Sequence, residues 1–317
     1  MGQLDLFLDA PVHLLAAMRL LERLDLEGCR RELALQRRVL PGADPDPSGL
    51  EGAASWLESR LPGPACSAPE YGAAGLLLCR ELIAGHAEAL RGLGEGTRRG
   101  VARTLAGWAL GRARGEGLGE RSEVVDGLPW AVFHLFAGRP GAALGPLLER
   151  ALGGGGGSGA WLALGDALRA QGRREEALAA YREGAGLDPG LTAWRPAEPL
   201  VEELRRGFET DPLFGGSWWV VGAYLEGDLP RYRRAPPALR AARWQRFAAL
   251  RADGAPAPVV FFGGLLLSEQ GTSLPDEQLE AVRRVLQGLH PAAFALHRQA
   301  LAEGGPPLPA RPESGLP

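Results

Sequence analysis

Apolar residues recur along most of the chain at spacings of three and four, the period of one helix face. Between Pro11 and Leu24 they fall at Leu14, Leu15, Met18, Leu21 and Leu24. Asp9 and Pro11 supply the start signal, a capping carboxylate followed by a residue with a preset backbone angle. Leu26, Cys29 and Leu33 carry the pattern into a second helix ending near Val39, and the stretch from Pro41 to Pro47 stops it because proline offers no amide donor. The same spacing predicts helices over 72–93, 97–114, 124–137, 140–152, 159–171, 175–187, 199–210, 214–226, 237–251, 259–269, 275–289 and 292–302. No convincing alternating strand interrupts them. Val259 to Phe262 could form a short strand, but the leucines behind it favour a buried helix. The pattern predicts an all-α chain.

Internal repetition sharpens this. From Ser158 to Leu191 the chain reads SGAWLALGDALRAQGRREEALAAYREGAGLDPGL. Trp161, Leu164, Gly165 and Leu168, followed by Ala177, Tyr181 and Pro189, have the spacing of a tetratricopeptide repeat, and this 34-residue stretch resembles one unit of that family. Small Gly165 and Ala177 let two helices approach closely, Trp161 and Tyr181 fill the space between turns, and Gly172 permits the tight connection. Gly184 departs from the family's usual alanine. Shifting back by 34 residues pairs Gly172 with Gly138, Arg173 with Arg139, Ala177 with Ala143, Leu178 with Leu144 and Glu183 with Glu149, while Trp130 falls where Leu164 sits. Residues 124–157 thus resemble a degenerate preceding repeat, and the resemblance implies a right-handed stack of antiparallel helix pairs, an α-solenoid. The expected organisation is a tail or linear motif at 1–10, a helical region at 11–123, two repeats at 124–191, a second helical region at 197–303 and a disordered Pro/Gly-rich tail at 304–317. Within the second repeat, Ala177→Trp should overpack the helix pair at about 1–3 kcal/mol. Arg182→Ala, on what the period makes an outer face, should stay within about 0.5 kcal/mol.

Composition removes several chemistries. All 35 basic residues are arginine, lysine and asparagine are absent, and 38 acids leave a net charge of −3. Without lysine there is no Schiff base and no phosphate-loop lysine. Cys29, Cys66 and Cys79 are too few and too scattered for a disulfide framework or a zinc ribbon. Asp5 and Asp9, with no basic residue before Arg19, argue against a secretory leader. The longest apolar stretch, Ala255 to Leu267, holds two prolines and is too short to span a bilayer. A soluble cytoplasmic protein is expected, with no membrane partner.

Side chains that could do chemistry are sparse. The Gly153–Gly157 run has no preceding strand and no following lysine, so an inter-repeat loop is favoured over a phosphate cradle. His290 and His297 share a helix face without a third ligand nearby. Glu175, Glu176, Glu202 and Glu203 sit in first turns, where they complement the helix dipole. No catalytic group, cofactor or metal is expected. Trp218 and Trp219 suit a core, or alternatively an exposed anchor for a partner. Residues 231–251 carry seven arginines and no acid, with Tyr232, Trp244 and Phe247 interleaved. Arg240, Arg243 and Arg251 could contact an anion such as nucleic acid. The competing reading is an amphipathic helix that buries Trp244 and Phe247 under arginine stems.

Gln3, Leu4, Asp5, Leu6 and Phe7 form a separate signal. This pentapeptide resembles the bacterial sliding-clamp-binding motif at every place, and Pro11 disfavours helix at Ala10 just beyond it. The resemblance implies Leu6 and Phe7 inserted into an apolar pocket of the clamp, with Gln3 anchoring the backbone. Folding of the same leucines back onto the first helix pair is the alternative.

The repeat resemblance implies a non-catalytic scaffold or adaptor that holds a peptide or amphipathic helix of another protein. By the family pattern the first helix of each unit lines the groove, which places Leu128, Val132 and Leu135 there from the first repeat and Leu162, Asp166 and Arg169 from the second. The family's carboxylate clamp uses lysine and asparagine, which this chain lacks. The alternative function is that of a DNA replication or repair accessory recruited to the sliding clamp through Gln3–Phe7.

Overall fold

A computed structural model describes residues 12–39, 48–63, 66–84, 87–90, 93–125, 127–153, 157–230, 237–268 and 274–302. The pentapeptide at Gln3–Phe7 and the tail at 304–317 lie outside them. Fifteen α-helices and two short strands make up the described structure, and neighbouring helices pack as pairs, so the protein is all-α. The chain divides into two compact units, residues 1–125 with 130–139, and residues 126–129 with 140–317.

The first unit holds α1 (Val12–Glu22), α2 (Leu26–Val39), α3 (Ser48–Arg60), α4 (Ala68–Ala84), α5 (Glu95–Gly115), β1 (Glu123–Val125) and the single turn α6 (Phe133–Phe136). Leu24, held at φ +59°, reverses the chain between α1 and α2, and Asp25 caps α2 by accepting the Gly28 amide at 2.8 Å. Ala17, Leu21, Cys29 and Leu33 close that pair, while Leu76, Cys79 and Leu82 of α4 meet the buried Val101, Leu105 and Ala109 face of α5. The Cys79 thiol donates to the Ala102 carbonyl, and burial raises the thiol pKa of Cys79 and of Cys29, which keeps both protonated and unreactive. Helix α3 is absent from the periodicity prediction. Its buried positions, Leu50, Ala53, Ala54 and Leu57, keep helical spacing, but two are alanines that a search for large apolar residues passes over.

The helix expected over 124–137 does not form. Gly127 takes φ +78° and Pro129 lacks an amide donor, so the chain runs through β1, a second strand and a 3-10 turn at Trp130–Val132 before α6 begins. Trp130 does not take the place of Leu164. It is fully buried against Gly72 of α4, where an added Cβ would stand 2.5 Å from the indole. The division into units therefore falls inside the stretch assigned to the first repeat. Its turn nevertheless keeps the 34-residue correspondence. Gly138 and Gly172 have φ +72° and +77°, and the Arg139 and Arg173 amides donate to His134 and Leu168 carbonyls at 2.8 and 3.0 Å.

The second unit comprises β2 (Leu128–Pro129), α7 (Pro140–Leu152), α8 (Ser158–Ala170), α9 (Arg174–Leu187), α10 (Pro199–Gly207), α11 (Trp219–Glu226), α12 (Pro237–Ala252), α13 (Ala257–Ser268), α14 (Asp276–Leu289) and α15 (Pro291–Ala302). At its centre α8 and α9 pack at the glycines. A Cβ on Gly165 would stand 2.4 Å from the Tyr181 ring, and one on Gly184 would stand 2.6 Å from Leu162. The glycine in place of the expected alanine thus makes room for Leu162. Helix α9 also meets α11 and α13, and Gly186 abuts Phe262 of α13 so closely that any side chain would collide. From Ala179 to Gly186 every residue of α9 is buried. Trp219 is buried with its indole N–H on the Pro189 carbonyl and belongs to the core, while Trp218 is half-buried and packs edge-on against His290 and Phe261.

Candidate functional site

Two polar clusters are built around the α8–α9 pair. The first lies inside the stack. Glu183 Oε1 accepts from Arg182 at 2.8 Å and from Arg243 at 2.5 Å, and its Oε2 stands 3.6 Å from Arg246. The carboxylate, Arg182 and Arg243 are all at most 2% exposed. Arg182 also donates to the Pro230 carbonyl, Arg243 to Leu266, and Arg246 to Ala151 while lying over the Trp161 ring at 5.7 Å. Burial pushes the Glu183 carboxyl up, but Arg243 and Arg182 outweigh it and hold the group well below the ordinary carboxylate range. Burial lowers Arg246 in turn, partly offset by Glu183. This cluster ties α9 to α12 and α13.

Arg182 is therefore not on an outer face, and its replacement by alanine is not a neutral surface change. The anion reading of the basic segment changes as well. Arg243 is engaged inside the protein, Phe247 is buried, and Arg251 is exposed over the Phe247 ring at 5.9 Å. The Arg240 side chain and residues 231–236 lie outside the described structure. What is described matches an amphipathic helix that uses arginine for internal pairing.

The second cluster sits on α8 itself. Asp166 Oδ1 accepts from the Tyr181 hydroxyl at 2.5 Å and from the Ala197 amide at 2.8 Å, and Oδ2 accepts from the Trp194 indole at 2.7 Å. Burial raises this carboxyl above its usual range, and the three donors pull it part of the way back. One turn further on, Arg169 holds Glu198 at 3.1 Å, and Arg174 approaches the same carboxylate at 3.9 Å. Burial, with Asp166 beside it, raises the Tyr181 phenol and keeps it protonated as a donor.

The residues expected to line a groove divide sharply. Leu162 is fully buried under Gly184, Leu128 is buried against Gly159, and Val132 is buried in the first unit, where Leu135 is part-exposed. Asp166 and Arg169 remain on one side of α8 and bind the chain's own segment between α9 and α10. Sequence reasoning missed this segment, although Trp194 between two proline-flanked stretches marked a residue in need of a partner.

Other groupings are smaller. His297 is buried with Nε2 2.7 Å from the Ser268 hydroxyl, which donates to the Leu265 carbonyl at 3.0 Å. His290 instead closes α14 and accepts the Ala293 amide at 3.2 Å. Among the described residues, no three His, Cys, Asp or Glu side chains gather as metal ligands, and no helix is long and apolar enough to cross a membrane. No protein-family model, curated protein or solved structure matches the chain.

Proposed function

We propose that this is a tetratricopeptide-like helical-repeat protein of the cytoplasm that acts without catalysis, as a scaffold or adaptor holding a segment of another protein. The observation that supports this reading is the α8–α9 pair. Its glycine-mediated approach, its turn at Gly172 and its terminating Pro189 follow the repeat spacing, and its α8 face presents a hydrogen-bonding carboxylate beside an exposed arginine. Function drawn from a fold pattern is an analogy, so the site must carry the test. The full chain and its Arg169→Glu variant, each immobilised and exposed to extract of the source cells, should retain different proteins. A partner held by the parent chain and lost from the variant is the expected result. Identical captured sets would contradict a binding role for this face.

A second reading rests on the five-residue match at Gln3–Phe7. It makes the protein an accessory recruited to the bacterial sliding clamp. Burying Leu6 and Phe7 is worth about 1.5–3 kcal/mol each before the cost of ordering the segment. Micromolar affinity, about −8 kcal/mol, is expected. A peptide of residues 1–10 should bind purified clamp, and the Leu6→Ala, Phe7→Ala peptide should not. If the peptide fails to bind while the same double variant lowers the melting temperature of the full chain, those side chains serve the fold and this reading is wrong.

A further inference from the structure

The segment from Leu191 to Glu198 follows α9 and leaves it through a built turn. Asp188 Oδ2 accepts the Thr192 amide at 2.6 Å, the Ala193 amide at 2.9 Å and the Thr192 hydroxyl at 3.0 Å. Leu191 adopts φ +54°, a left-handed conformation that a leucine reaches only when its surroundings hold it there. The turn delivers the next residues onto α8. Ala193 lies against Gly159, Trp194 and Ala197 reach Asp166, and Glu198 reaches Arg169. These α8 positions advance by ten residues, about 15 Å of helix. The five steps from Ala193 to Glu198 span about 17 Å when extended. The two lengths agree, so the segment runs parallel to α8 as an extended strap, with no helix or strand of its own.

Its contacts are those of a peptide in a binding site. A buried indole donates to a carboxylate, one backbone amide donates to the same carboxylate, and a terminal acid pairs with exposed guanidiniums. Pro196 stiffens the strap, and Pro199, the first residue of α10, disfavours helix at Glu198 before it. Its polar anchors are few and lie at defined intervals, and Arg195 between them faces solvent.

Building on the adaptor reading above, we propose that Leu191–Glu198 is a resident, displaceable occupant of the α8 face, and that the protein partner presents the same pattern. That pattern is an extended segment with a tryptophan-like aromatic N–H donor, followed four residues later by a carboxylate. A partner with this pattern meets Asp166 and Arg169 in place of Trp194 and Glu198. The strap lowers the apparent affinity of any such partner by the fraction of molecules in which the face is free.

The test uses the full chain and a fluorescein-labelled peptide of residues 190–199, read by fluorescence anisotropy. Trp194→Ala opens the face, and that variant should bind the peptide at least about tenfold more tightly than the parent chain. Glu198→Gln, which leaves the indole in place, should show a smaller gain. A peptide carrying Trp194→Ala should bind none of the three chains. Circular dichroism reports whether each variant keeps its helices; if Trp194→Ala does not, Glu198→Gln decides. Variants that keep their helices and bind no more tightly than the parent would overturn the proposal and make the strap a fixed part of the core. If such variants bind no peptide while a native partner still depends on Arg169, the strap proposal fails alone. Peptide capture without any Arg169-dependent partner leaves the strap standing and removes the adaptor reading.

Discussion

Glu183→Ala should destabilise the full chain by about 3–5 kcal/mol, because it leaves buried guanidiniums without their shared carboxylate. Arg182 and Arg243 both place a nitrogen on Glu183 Oε1, at 2.8 and 2.5 Å, and neither can move to water without unpacking α9 from α12 and α13. The matched control is Glu202→Ala. Glu202 pairs with Arg205 and Arg206 on the accessible side of α10, and its loss should cost within about 1 kcal/mol. Denaturant melts of the two variants should separate clearly. Equal midpoints would mean that the buried cluster contributes no more than a surface pair. The pH dependence has a definite sign. The folded protein holds the Glu183 carboxyl below its unfolded value, so its contribution is complete above the ordinary carboxylate range and is lost as pH falls through the lowered value. Glu183→Gln should therefore flatten the acid limb of the stability curve.

The second large effect is steric. Gly165→Leu and Gly186→Leu should each cost about 1–3 kcal/mol or more, since the first Cβ already collides with the Tyr181 ring and the second with Phe262. Rigid aromatic rings at both places cannot swing aside as a flexible chain end would. Gly207→Leu, at the end of α10, has open space around its Cβ and no left-handed backbone, and should stay within about 0.5 kcal/mol. Thermal melts would check all three. A neutral Gly165→Leu would show that α8 and α9 do not pack at the distance described.

Much of this architecture was legible in the residues. The three-and-four spacing identified most helices, and the glycine, alanine and tyrosine spacing located the α8–α9 pair with its turn at Gly172. What escaped had physical causes. The helix at 48–60 buries alanines, which give a weak apolar signal. The helix expected at 124–137 was broken by Gly127 and Pro129, whose local preference outweighed the apolar spacing around them. Arg182 looked solvent-facing because helix periodicity knows one partner face, while α9 is enclosed by α8, α11 and α13. The small residues Ala179, Ala180, Gly184, Ala185 and Gly186 carried part of that information, since small side chains on several sides of a helix admit neighbours there. The candidate site was half legible. Asp166 and Arg169 were expected from the repeat pattern to line a partner groove, and in the structure both contact the chain's own segment, at Trp194, Ala197 and Glu198. That the segment present is the protein's own could not be read from spacing, because it depends on the turn at Asp188 and Leu191.

The central claim is that the α8 face binds protein, and site-directed photo-crosslinking tests it most directly. A photoreactive residue at position 170 of the full chain, the exposed neighbour of Arg169 at the end of α8, and in parallel at position 284 on α14, would be activated in the source cells, and the covalent adducts identified by mass spectrometry. The expected result is a discrete adduct with a second polypeptide from position 170, stronger when Trp194→Ala opens the strap, and none from position 284. Adducts of equal yield and identity from both positions, unchanged by Trp194→Ala, would contradict it.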